Sequence, residues 1–160
     1  MKKTSLLSRA GLIAAVYAVL TLAFPVLSYG PIQLRVSEAL VLLPVVMPES
    51  VLGLTFGCLV ANTVGVFWGY SLPWDMVMGT FATFIAAVIT RKIKNKWLAP
   101  LPAVLSNGLI VGTMITYIIL PEAEAAPLWY NILTVGAGEA IVSYALGIPL
   151  FNIIRKNLRK

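Results

Sequence analysis

Apolar residues run through this chain in long blocks, broken at short intervals by turn-forming clusters. The blocks predict helices over about 8–28, 33–48, 51–68, 74–90, 100–120 and 128–154. Between them stand Tyr29-Gly30-Pro31, Pro48-Glu49-Ser50, Gly69-Tyr70-Ser71, Ala99-Pro100 and Pro121-Glu122, combinations that favour a turn over a continuing helix. Each block approaches the ~20 residues that cross the hydrocarbon of a bilayer. Lipid offers the backbone no hydrogen bonds, so each crossing segment must satisfy its own. The predicted fold class is therefore all-α: one domain over 1–160, a bundle of six transmembrane helices. Between 31 and 90 the pattern admits either three short helices or two longer ones with a re-entrant piece.

Composition agrees and removes whole classes of function. Of 160 residues, 59% are hydrophobic and 11% charged, with a mean hydropathy of +0.91; a soluble domain averages roughly 45–50% and about 25%. Six spans leave about 40 residues for every loop and tail. That is too few for a soluble catalytic or nucleotide-binding domain. With no histidine and a single cysteine, Cys58, the chain has no imidazole for acid–base work and no thiolate cluster. Neither a metal nor a resident cofactor is expected. No Gly-x-x-x-x-Gly-Lys-Ser/Thr loop occurs, so any ATP must be handled by another subunit. No nucleophile–base pair is evident, and an enzyme is not expected.

The net charge of +6 would suggest nucleic acid in a soluble protein, but its placement speaks for a membrane. Lys2, Lys3 and Arg9, then Arg91, Lys92, Lys94 and Lys96, then Arg155, Lys156, Arg159 and Lys160 make up 11 of the 12 basic residues. Basic loops stay in the cytoplasm. An even number of crossings between successive clusters, four and then two, puts both termini and the middle loop there. Asp75, Glu122 and Glu124 then face the outside. Tyr29, Trp68, Tyr70, Trp74, Trp129 and Tyr130 fall at the outer boundaries and Trp97 at the inner one, as an aromatic belt would. The dense run from Trp68 to Trp74 can also shape the mouth of a binding site. Lys2 and Lys3 ahead of an apolar run are in the manner of a signal peptide. The run is long, however, and Ser28-Tyr29-Gly30 makes a poor cleavage site, so the first helix is expected to be retained.

Charge inside a span costs several kcal/mol unless paired or solvated, which makes such residues functional candidates. Arg35 and Glu38 open the second span, three apart and able to pair on one helical face. Glu139 sits about 11 residues into the last span, roughly 16 Å down a helix. Its partner is Arg35, a ligand or a proton. Asn62 and Asn107 bring amides into hydrocarbon, for helix-to-helix bonding or for a ligand. Together these groups can line one polar cavity open to the outside, suited to a planar ligand rich in donors and acceptors. In the first span Ala10, Ala14 and Ala18 form a smooth stripe, fit for internal packing or for docking a partner helix.

The six-span layout, this alanine stripe, and Gly30-Pro31-Ile32-Gln33-Leu34-Arg35-Val36-Ser37-Glu38-Ala39-Leu40 followed by Leu42-Leu43-Pro44 resemble the queuosine-precursor transporter (QueT) family. Gly57-Cys58-Leu59-Val60-Ala61-Asn62 and Gly138-Glu139 extend the resemblance over nearly the whole chain. It implies a substrate-binding S component of a bacterial energy-coupling factor importer, multi-pass in the cell membrane. Such a component binds its cargo outside and topples to release it inside, driven by a separate transmembrane subunit and two cytoplasmic ATPases. The resemblance further implies a 7-deazaguanine base as cargo and Ala10, Ala14 and Ala18 as the docking surface.

That cargo suits the residues. A carboxylate, Glu139 or Glu38, accepts the parallel N–H donors of a guanine-like edge. Asn62, Asn107 or Arg35 meets the ring carbonyl, and Trp68, Tyr70 or Trp74 packs the ring face. An aminomethyl cation, where the base carries one, suits the other glutamate. The short loop from Ser28 to Gln33 can act as a lid. Three other readings stay open at this stage: an S component for another vitamin or heterocycle, a stand-alone secondary transporter with Glu139 carrying the proton, and a non-transporting scaffold.

Overall fold

The computed structural model describes residues 3–30, 32–119 and 126–158, and these form helices joined by short turns, without strands. Among the described residues, five helices are long and apolar enough to cross a membrane. They are α1 (Lys3–Ala23), α2 (Ser50–Phe67), α3 (Pro73–Thr90), α4 (Leu101–Ile118) and α5 (Leu128–Leu158). Large apolar side chains such as Leu12, Val16, Phe56, Phe81, Leu105 and Leu133 are exposed along their outer faces. Water would penalise such a surface, whereas lipid tails match it.

The block at 33–48 departs from the expected helix. It forms two short 3-10 helices, Val36–Leu40 and Leu43–Val45, preceded by Arg35 in an extended conformation. Pro44 supplies the reason, because its ring would strike the carbonyl four residues back in a continuous α-helix. Three-residue hydrogen bonds close the turns instead, such as Glu38 N–H to the Arg35 carbonyl at 3.0 Å and Val41 N–H to that of Glu38 at 3.1 Å. The last helix runs longer than expected, 31 residues. It holds one π-helical segment, Ser143–Gly147; α4 holds another, Asn107–Val111, and runs at its end into a third, Ile115–Ile119.

Glycines set how the helices pass. A Cβ on Gly53 would stand 2.8 Å from the Ala10 carbonyl oxygen, and one on Gly57 2.8 Å from that of Ala14. Further along, Gly65 abuts the Tyr29 phenol. Helices α1 and α2 are therefore parallel and nearly touching. Arg9 pairs with Glu49 at 3.5 Å where both begin. The chain between them must return from the far end to the near end, and residues 30–49 make that passage. Helix α3 is antiparallel to α2: the Asn62 amide donates to the Asp75 carbonyl and the Thr83 hydroxyl to the Cys58 sulfur. Helices α4 and α5 are antiparallel too, Asn131 bonding Thr116 and Asn107 bonding Glu139. Along α5, Gly138 lies under the Ile32 carbonyl and Gly147 against Ala39, so the returning segment rests on that helix.

Candidate functional site

The middle of the bundle is polar where a membrane protein can least accommodate charge. The returning segment brings Arg35 and Glu38 inward, 7% and 2% exposed, and α5 brings Glu139, 4% exposed. Asn62 of α2 and Asn107 of α4 are buried beside them. Arg35 and Glu38 share no ion pair; among the described residues only Arg9–Glu49 comes within 4.0 Å. The extended backbone at Arg35 breaks the helical spacing that pairing required. Arg35 lies instead with its guanidinium 5.0 Å from the centroid of the Tyr29 ring. It donates to the Ser28 carbonyl at 3.3 Å and to the Cys58 sulfur at 3.7 Å.

Each carboxylate has its own donor. The Tyr17 hydroxyl donates to Glu38 Oε1, and the Asn107 amide to Glu139 Oε2 at 3.0 Å. Three buried side-chain atoms stay without a partner among the described residues: Glu139 Oε1, Asn62 Oδ1 and the Thr80 hydroxyl oxygen. A buried acceptor left unmade costs about 1–3 kcal/mol, more when charged. Glu139 Oε1 and Asn62 Oδ1 therefore have room for a donor that the described residues do not supply.

Toward the end where α2 finishes and α3 begins lies a cavity of about 410 Å³. Tyr29, Gln33, Tyr70, Asp75, Tyr130 and Asn131 are among its lining residues. The Ser28–Gln33 loop borders it. Gln33 holds φ +45°, a left-handed conformation unusual outside glycine, and a Cβ on Gly30 would press on the Val26 carbonyl at 2.7 Å. Tyr29 anchors the loop by donating to the Ala61 carbonyl at 2.8 Å. Burial pushes its phenol up to about 12, so it stays a donor across the ordinary pH range.

Of the aromatic candidates, Tyr70 reaches this cavity. Trp68 and Trp74 are 58% and 52% exposed and do not line it, consistent with a place in the interfacial belt. The alanine stripe lies largely on the inner side of α1. Ala10 and Ala18 are buried, and Ala10 and Ala14 carry the close contacts with Gly53 and Gly57. Gly11 and Ala15, one position along, are the small residues left open. Glu122 and Glu124 lie outside the described residues.

Tyr17, Thr83 and Asn131 complete the picture without having been named from sequence, and Asp75 and Cys58 join it although the sequence offered them no binding role. The Cys58 sulfur gathers donors from Arg35, Asn62 and Thr83. Tyr17 and Thr83 look like ordinary members of apolar helices. Asn131 carried a readable signal, an amide inside an apolar block, as Asn62 and Asn107 did.

A sequence model described as QueT transporter matches residues 7–156. A curated relative from Lactococcus lactis subsp. cremoris (strain MG1363), named queuosine precursor transporter QueT, is 32% identical over 76 residues. That alignment covers 46% of this chain and 42% of the relative. No solved structure matches.

Proposed function

The chain belongs to the QueT transporter family, and on that premise we propose that it is the membrane-embedded specificity subunit of a bacterial importer for a 7-deazaguanine precursor of queuosine. The name of the Lactococcus relative supports the cargo. A partner transmembrane subunit and two cytoplasmic ATPases supply the energy, since this chain lacks a phosphate-binding loop. The returning segment 30–49 counts as a sixth crossing, which leaves both termini in the cytoplasm and cargo entering from the opposite side. The partner helix docks on the open face of α1 at Gly11 and Ala15, with Ala10, Ala14 and Ala18 supporting it from within.

The observation that carries this reading is the unpartnered Glu139 Oε1 beside the paired Oε2. A guanine-like base offers adjacent N–H donors, which a carboxylate accepts and a carboxamide can meet only in part. Asn62 Oδ1 takes a further N–H, and the Arg35 guanidinium meets the ring carbonyl. Calorimetric titration of the detergent-purified protein with 7-deazaguanine bases tests it. Glu139→Gln is expected to weaken binding roughly 10- to 100-fold, the loss of a charge-assisted pair, with thermal unfolding unchanged. Equal affinity in a folded Glu139→Gln protein would refute the assignment.

A further inference from the structure

Asp75 is a carboxylate that the fold uses with one oxygen. Its Oδ2 accepts from the Ser71 hydroxyl at 2.7 Å and from the Leu72 amide at 3.1 Å, which fixes the first turn of α3. Its Oδ1 accepts from no group among the described residues, although the side chain is 6% exposed and lines the 410 Å³ cavity. No cation lies within 4.0 Å of it among those residues. Residues 120–125, just ahead of the lining residue Ala126, contain no lysine or arginine. Helix capping accounts for the first oxygen and leaves the second, in a lipid-embedded protein, facing a cavity.

The surroundings favour a cation on a flat ring. Tyr70 and Tyr130 border the cavity beside Tyr29, whose ring already carries Arg35, and aromatic faces attract an ammonium as well as stack a heterocycle. The charge balance points the same way. The buried charged side chains of the described residues are Arg35 against Glu38, Asp75 and Glu139. One guanidinium stands against three buried carboxyl groups, and a ligand that brings positive charge suits that balance.

We propose that this cavity is a recognition site for a primary ammonium carried on a planar heterocycle, with Asp75 as its carboxylate. The proposal rests on the heterocycle-binding reading above and deepens it. In this cavity the charged arm of the base meets Asp75, while Glu139, which does not line the cavity, keeps the N–H edge assigned to it above. The site therefore discriminates among related bases by the charge on that arm.

Affinities for two probes decide it: 7-deazaguanine bearing an aminomethyl group at C7, and the same base bearing a nitrile there. The purified protein is expected to prefer the amine by tenfold or more. In Asp75→Asn, which keeps an acceptor for Ser71 and Leu72, the ratio should fall close to one. In Glu139→Gln both probes weaken while their ratio persists. Equal binding of the two probes by the unaltered protein overturns the proposal and leaves the heterocycle reading standing. A ratio that survives Asp75→Asn, or collapses in Glu139→Gln, places the ammonium elsewhere and overturns it as well. If neither probe binds, the heterocycle reading falls and takes this proposal with it.

Discussion

Glu38 shows how a single residue becomes tolerable in an apolar bundle. It is 2% exposed and has no cation within 4.0 Å among the described residues, so its stability depends on the neutral donor facing it from α1, the hydroxyl of fully buried Tyr17. Tyr17→Phe removes one oxygen and little volume, leaving Glu38 Oε1 without that bond. A cost of about 1–3 kcal/mol is expected from the unsatisfied acceptor, read as a lower unfolding temperature in detergent. An unchanged temperature would show that Glu38 does not depend on Tyr17. The two partners were unequally legible. Charges stand out in an apolar block, so Arg35, Glu38 and Glu139 could be named from sequence alone. Tyr17 could not, because a tyrosine inside such a block reads equally as packing, and only the tertiary contact reveals its hydroxyl as a donor.

At the scale of an element, α1 has two small-residue faces with opposite uses. The Ala10/Ala14/Ala18 stripe is consumed inside the chain, where Gly53 and Gly57 bring α2 within touching distance. Gly11 and Ala15 face outward, and a Cβ on Gly11 meets nothing within 4 Å. Spacing identified a close-packing stripe but could not choose its occupant, since lipid, a neighbouring helix and a partner subunit all accept the same apolar side chains. Substitution separates the faces. Gly57→Leu drives a side chain into the Ala14 backbone and should destabilise the protein by about 1–3 kcal/mol or more. Gly11→Leu and Ala15→Leu should leave unfolding temperature and ligand affinity intact yet lower uptake in cells that supply the energising subunits. Full uptake by both variants would sink the assignment of this face to the partner. The 3-10 turns at 36–45 were hidden for another reason: hydropathy registers apolar length, and Pro44 changes the hydrogen-bond pattern without changing that length.

For the whole molecule the question is which way the bundle sits, and charge and geometry approach it independently. The basic clusters around Arg9, Lys94 and Arg155 require even numbers of crossings between them to share the cytoplasmic side. Helices α1, α2 and α3 give three; in the proposed arrangement the segment between α1 and α2, which must travel back because those helices are parallel, supplies the fourth. At the same end, Lys94 and Arg155 line one groove with Val45 and Val46, so the last turn of the returning segment meets two of the basic clusters. A re-entrant piece that turned back halfway would leave Arg9 and Lys94 on opposite sides. Single cysteines in a Cys58→Ala background distinguish these arrangements. Trp74→Cys should react with a membrane-impermeant maleimide in intact cells, whereas Ser8→Cys, Lys94→Cys and Asn157→Cys should react only after permeabilisation. Labelling of Ser8→Cys and Lys94→Cys from opposite sides would remove the sixth crossing. It would also reverse the entrance to the site, since the cavity beside Asp75 faces the medium only if α2 ends, and α3 begins, at the outer surface.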